Sequence, residues 1–273
     1  MSQVILITGA SSGIGKRSAL LLAERGYVVY AGTRTPERFE TDAENLHVIQ
    51  LDITNTKSIE TAVQSIYEEQ GKIDVLVNNA GYGLVSTVED VREEEMFKQF
   101  DVNVFGVFRM CKAVIPLMRE NNRGVIINIS SFLGKIGLPL LAFYNSSKYA
   151  VEGITDSLRY ELRDFNIRVH SIMPGFFNTN FAKDNLVANA STFDERSPYA
   201  KLVSNLAPNI IEQINSGNDA NEAAELIVKM IEDETSLARE TVGDKARKFI
   251  PMRRELSDED FERRVREYYR LNG

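Results

Sequence analysis

The chain has 273 residues, 43% of them hydrophobic, which is enough to bury a full core in one large α/β domain or two small ones. A diffuse net charge of −7 argues against a nucleic-acid partner. Cys111 is the single cysteine, so no intramolecular disulfide can form, and its apolar surroundings read as a buried helical position. The start, Met1-Ser2-Gln3, lacks a basic leader, and no stretch reaches the ~20 apolar residues of a membrane span. The expected location is the cytoplasm.

Residues 4–8 form a short apolar run ended by glycine, which predicts a buried parallel strand. A helix is expected over 13–25, with Ile14, Leu20, Leu21 and Leu22 on its apolar face and Gly26 as its stop. Strands follow at 27–31 and 47–51, then a helix over 56–69 ended by Gly71. A strand at 73–77 closes in Asn78-Asn79-Ala80-Gly81. A long helical stretch over 92–120, a strand at 124–129, a helix over 143–165 and a strand at 167–172 come next. This alternation predicts an α/β fold: a doubly wound parallel sheet with helices on both faces.

After Gly175 the pattern loosens. Residues 176–218 show no clear strand, and a connection of that length is expected to be a lid over a site. A helix is expected over 220–233, and 241–243 ends a last strand. Residues 257–271 read as a charged, solvated helix with Ser257 as N-cap and Asp258, Glu259 and Asp260 in its first turn. A cover over the pocket and a subunit contact are the alternatives for this tail. No repeat or linker divides the chain, so one domain is expected over 1–273.

Gly9, Gly13 and Gly15 follow a strand and open a helix. Such a turn lets backbone approach a pyrophosphate, whose charge the amides at Ser11, Ser12, Gly13 and Ile14 would stabilise. At the end of the second strand stand Gly32-Thr33-Arg34, with no carboxylate to hold ribose hydroxyls. Arg34 offers a guanidinium fork suited to a 2′-phosphate, so NADP(H) is expected over NAD(H). Asp52, with Ile53 beside it, ends the third strand. It is either an adenine contact or a turn-forming aspartate.

Tyr144 and Lys148 lie one helical turn apart and share a face. A phenol titrating near ~10 needs help to exchange protons at neutral pH, and a nearby ammonium favours its ionised form. Ser131, just past a strand, is placed to donate to a substrate oxygen as charge develops there.

Together these pieces resemble the short-chain dehydrogenase/reductase family in its single-domain form. The matching residues are Thr8 to Gly15, Asp52, Asn78-Asn79-Ala80-Gly81, Asn103, Ser131, Tyr144, Lys148 and Pro174-Gly175-x-x-x-Thr179. The resemblance implies a Rossmann fold and hydride transfer between a nicotinamide cofactor and a carbonyl or alcohol. It implies that Tyr144 exchanges the proton, that Lys148 lowers the phenol's pKa and holds the nicotinamide ribose, and that Ser131 polarises the carbonyl. Asn103 would kink its helix and hold a water leading to Lys148. Asn79, Ala80 and Gly81 would support the adenosine side, and Pro174, Gly175 and Thr179 would hold the carboxamide. Ser12 stands where many NADP-preferring relatives carry a basic residue, so the NADP(H) expectation rests on Arg34 and the missing acid. No metal is implied. The family's habit of pairing through the helices at 92–120 and 143–165 implies a homodimer or homotetramer.

Strand two and the long C-terminal region are similar to the branch that includes 17β-hydroxysteroid and retinol-type enzymes. Phe132, Leu133, Ile136, Leu138, Leu140, Leu141 and Phe143, with Phe176, Phe177 and Phe181, either line an apolar pocket or fill the core. An apolar or aromatic small-molecule carbonyl compound, a ketone or aldehyde such as a lipid-like or steroid-like ketone, is the expected substrate class. The larger sugar-nucleotide epimerase relatives carry a different glycine spacing. A redox-sensing NADP(H)-binding protein is the non-enzymatic alternative, and such proteins tend to lose the tyrosine.

Overall fold

The computed structural model describes residues 2–179 and 181–271. Met1, Asn180, Asn272 and Gly273 lie outside that description. The first half alternates β1 (Val4–Thr8), α1 (Gly13–Glu24), β2 (Val28–Thr33), β3 (Leu46–Gln50), α2 (Thr56–Gln70) and β4 (Val75–Asn78). Next come β5 (Gly83–Val85), α3 (Glu93–Phe100), α4 (Gly106–Glu120), β6 (Gly124–Ile129), α5 (Ala142–Glu161) and β7 (Ile167–Pro174). The remainder is α6 (Phe181–Asp184), β8 (Leu186–Ala188), α7 (Ala200–Asn215), α8 (Ala220–Glu232), β9 (Arg239–Val242), α9 (Asp244–Glu255) and α10 (Asp258–Tyr269).

Seven strands form one parallel sheet in the order β3-β2-β1-β4-β6-β7-β9. The order reverses between β1 and β4, and an open parallel sheet places its cleft at that switch point, beyond the strands' carboxyl ends. Both faces are buried, with a period of two along each strand. Ile5, Ile7, Val75 and Val77 point to a core shared with α1 and α8. Val4, Leu6 and Leu76 point the other way, to a core shared with α2, α4 and α5. Helix ends follow local chemistry. Asn55 caps α2 by accepting from the Ser58 amide at 3.1 Å, and Gly71 ends it at φ +71°.

Several expectations change in detail. The long helix over 92–120 is interrupted at Asp101–Phe105 by a π-turn, which re-aims Asn103. Residues 143–165 end as helix at Glu161, before a tight turn at Arg163–Phe165. The span 176–218 is more ordered than its composition suggested. It holds β8, which pairs with β5 in a separate two-stranded parallel sheet, and the 16-residue α7. Helix α9 was not expected at all. The tail is docked instead of fully solvated: Phe261, Val265 and Tyr269 of α10 join Phe249 of α9, Phe132 and the inner face of α7 in a third apolar cluster. Rings of Phe132, Phe249 and Tyr269 pack 6.2 and 6.0 Å apart. The charged residues of α10 occupy its other face, which is why sequence alone suggested solvation. Among the described residues no helix is long and apolar enough to cross a membrane.

Candidate active site

A cleft of about 950 Å³ opens above the sheet's carboxyl edge. Gly9, Ser11, Ser12, Gly13 and Ile14 form its floor at one end, where the chain leaves β1 and enters α1. Glycine is required there for two reasons. Gly9 and Gly13 have φ of +65° and +56°, in the left-handed region. A Cβ on Gly9 would also sit 2.6 Å from Ala80 Cα. Gly15 does not line the cleft. A Cβ there would lie 2.4 Å from Asn79 Nδ2, so this glycine serves close packing. Asn79 in turn donates to the carbonyls of Thr8 and Gly9, both at 3.0 Å, and Thr8 Oγ1 accepts from the amides of Asn79 and Ala80. The loop after β4 therefore fixes the glycine turn from behind.

Thr33, Arg34, Thr35 and Arg38 line the next stretch. Neither Arg34 nor Arg38 makes an ion pair among the described residues, so two exposed guanidinium groups stand at this end. Arg38 was not singled out from the sequence, although it lies one turn past Arg34. Asp52 and Ile53 border the same region. Asp52 Oδ1 accepts from the Thr54 amide at 2.9 Å and the Thr54 hydroxyl at 2.7 Å, so the turn-forming reading accounts for that oxygen.

The catalytic candidates meet mid-cleft. Ser131, Tyr144, Lys148, Ala80, Gly81, Pro174, Gly175 and Thr179 all face it. Thr179 leans over the phosphate turn, its Cβ 3.5 Å from where a Gly13 side chain would begin. Lys148 is buried, and its Nζ donates to the Ile129 carbonyl at 2.8 Å. Its ammonium lies 5.8 Å from the Tyr144 ring centre. Burial pushes the Lys148 pKa down to about 8, against an opposing pull from Glu152. The expected lowering of Tyr144 does not hold in this structure. Burial pushes the phenol up to about 12, and the hydrogen bond from Ser131 acts in the opposite direction. Tyr144 therefore stands as a neutral proton donor at pH 7.

Asn103 stands behind the wall. Its Nδ2 donates to the Tyr82 carbonyl at 2.9 Å and to Ser147 Oγ at 3.0 Å, and its Oδ1 accepts from the Tyr82 amide at 3.0 Å. Gly81 passes close above it and close to Lys148 Nζ: a Cβ there would lie 3.2 and 3.5 Å from the two groups. The side-chain amide of Asn103 holds the backbone of the Tyr82 loop and Ser147.

The far end is apolar: Leu133, Leu141, Phe176, Phe177, Phe181, Leu186, Val187, Ile210 and Ile214. Phe132, Ile136, Leu138 and Leu140 are buried in the third cluster and do not reach the cleft. Phe143 does not line it either. Ile210 and Ile214 come from α7, and their four-residue spacing was a visible signal that Pro208 obscured.

Residues 3–190 match the short chain dehydrogenase family, and the chain belongs to it. It is an oxidoreductase of that family, and hydride transfer with a nicotinamide cofactor is the chemistry that follows. Among relatives, a 3-ketodihydrosphingosine reductase from Bacteroides thetaiotaomicron is 48% identical over 179 residues, covering 66% of this chain. That alignment spans 65% of the reductase's own length. A short-chain dehydrogenase from Streptomyces avermitilis superposes with a TM-score of 0.84 at 29% identity, covering 99% of this chain and 97% of its own. An alcohol dehydrogenase from the archaeon Thermococcus sibiricus, solved with 5-hydroxy-NADP, gives a TM-score of 0.71 at 26% identity, covering 89% and 95%. These comparisons reach the family and not the steroid and retinol branch.

Proposed function

We propose that the protein is an NADP(H)-dependent reductase of an apolar ketone or aldehyde. The observation that carries this reading is convergence: Ser131, Tyr144 and Lys148 face the same cleft that the glycine turn opens at its other end. The residues suit a dinucleotide. A Cβ at Gly9 would clash with Ala80 and force the turn apart, Ser11 to Ile14 at the start of α1 line the cleft as a phosphate turn would, and Arg34 and Arg38, without ion pairs among the described residues, offer charge where a 2′-phosphate would lie. When bound, the cofactor would supply the hydride.

The protein's own groups do the rest. Ser131 donates to the substrate oxygen, and Tyr144 Oη delivers its proton to that oxygen as negative charge grows there. Lys148, while charged, stabilises the phenolate left behind. The phenol is protonated at neutral pH, which is the form that donates in reduction. Pro174, Gly175 and Thr179 line the cleft where they would hold the nicotinamide, and Asp52, Ile53, Asn79, Ala80 and Gly81 line it where they would hold the adenosine.

The apolar far wall supports a hydrophobic carbonyl compound, and the similar Bacteroides protein is a 3-ketodihydrosphingosine reductase. Exposed Phe97, Phe105, Phe108, Tyr149 and Tyr160 on and around α3, α4 and α5 support a homodimer or homotetramer through those helices.

The test is NADPH and NADH consumption by the purified protein against ketones and aldehydes from small polar to large apolar. Turnover with NADPH on the large apolar members is the expected result. Tight NADPH binding with no turnover on any member would favour the redox-sensing role instead.

A further inference from the structure

Glu152 is buried to 2% exposure one helical turn beyond Lys148, on the same face of α5. Its Oε2 accepts from Arg239 Nε of β9 at 2.6 Å and pairs with Lys135 at 3.4 Å. Its Oε1 is buried with no hydrogen-bond partner among the described residues. Arg239 also pairs with Asp156, one further turn along α5. Between Lys148 and Glu152 the backbone of Gly134 is pressed onto the helix. A Cβ there would lie 3.0 Å from the Lys148 carbonyl and 3.3 Å from Glu152 Cγ. Lys148 and Glu152 are both buried, and charges interact more strongly in such a medium than in water.

A buried ion pair with one bare oxygen is a poor stabilising device, since an apolar residue of similar volume often serves stability as well. A role in the neighbouring site explains it better. We propose that Glu152, held by Arg239 and Lys135, is a positioning residue that keeps Lys148 in its ammonium form beside Tyr144. The proposal rests on the reductase reading above for its purpose, but not for its electrostatics.

The other groups facing Lys148 are neutral among the described residues: Tyr144 on its own helix, the Ile129 carbonyl of β6, Ser131, Gly81 of the loop after β4, and Asn103 of the π-turn. Among the described residues Glu152 is the carboxylate that acts on the ammonium, and it raises the Lys148 pKa against the burial that holds it near 8. The charges facing Glu152 are Lys135 and Arg239, with Asp156 behind the latter.

The experiment is an NMR titration of protein carrying 13Cε-labelled lysine, with the Lys148 signal assigned by its loss in Lys148→Arg. The wild-type midpoint is expected near 8. Glu152→Gln should lower it by about one unit, a tenfold change in the charged-to-neutral ratio. Arg239→Gln should raise it, because the carboxylate is then less countered. Glu152→Asp keeps the charge and should restore most of the wild-type midpoint. A merely structural Glu152 would lower thermal stability in the Gln variants without moving the midpoint in opposite directions. An unmoved midpoint in folded Glu152→Gln overturns the proposal, and if that variant does not fold, an unmoved midpoint in Arg239→Gln does the same. The alkaline limb of NADPH-linked reduction should move with the NMR midpoint, and a limb that stays fixed while the midpoint moves overturns the catalytic purpose. The titration needs no substrate, so failure of the reductase reading shows separately, as absent turnover in the wild type.

Discussion

The two ends of the cleft are built from different materials. The end under the glycine turn is mostly backbone: left-handed glycines at 9 and 13, the amides that start α1, and a loop fastened by Thr8 and Asn79. The far end is mostly side chain: Leu133 and Leu141 from the segment between β6 and α5, with Phe181, Leu186, Ile210 and Ile214 brought in by α6, β8 and α7. A backbone cradle tolerates almost no change, because any Cβ at Gly9 meets main-chain atoms. A side-chain wall can be re-cut one residue at a time. The contrast suits an enzyme whose dinucleotide is fixed and whose substrate is set by the wall.

The largest effect is expected from Lys148→Met. It removes the buried cation next to Tyr144, and turnover should fall by roughly 100-fold or more, as for loss of a group that assists proton transfer. The steady-state rate with NADPH checks this. Next is Gly9→Ala. The left-handed backbone alone costs about 1–3 kcal/mol with a side chain, before the clash with Ala80 is counted. Cofactor affinity should fall by on the order of tenfold or more, and the thermal midpoint should drop with it. Arg34→Ala should weaken NADPH by roughly tenfold while leaving NADH nearly unchanged. Equal losses for both cofactors would remove Arg34 from the 2′-phosphate. Smallest is Ile214→Ala at the far wall. It should lower kcat/KM for large apolar ketones several-fold to about tenfold and leave small ones alone. If a far-wall change disturbed NADPH affinity as much as Gly9→Ala, the division between the two ends would collapse.

The pH dependence follows from the same residues. With Lys148 at about 8 and Tyr144 at about 12, the phenol is protonated throughout pH 6 to 8 while the ammonium loses its charge above 8. Reduction should be flat up to about pH 7, fall to about half near pH 8 and decline further above it. A rate profile of kcat against pH checks this.

How legible each part was depends on what constrains it. The cofactor end could be read because its geometry demands glycine at fixed places, and a strand and helix flank it. Tyr144 and Lys148 could be read because one helical turn separates them. The cap was harder. Pro208 and Pro251 lie inside α7 and α9 and hide the helical pattern, although Leu206, Ile210 and Ile214 keep the helical spacing. Helix α10 looked solvated because its charges outnumber Phe261, Val265 and Tyr269, the three residues that dock it. The burial that sets Tyr144 and Lys148 is a property of the folded cleft and has no local signature. Glu152 was invisible for a related reason: an acid on a helix normally faces water, and its partner Arg239 lies 87 residues away.

The most direct measurement is NADPH binding and turnover in Tyr144→Phe, with Kd from a fluorescence titration and rate from NADPH consumption on a large apolar ketone that the wild type reduces. The account predicts a Kd close to wild type and a rate lower by at least about 100-fold, because the phenol hydroxyl transfers the proton while backbone at the other end holds the cofactor. A variant that binds NADPH and still turns over at the wild-type rate would contradict it.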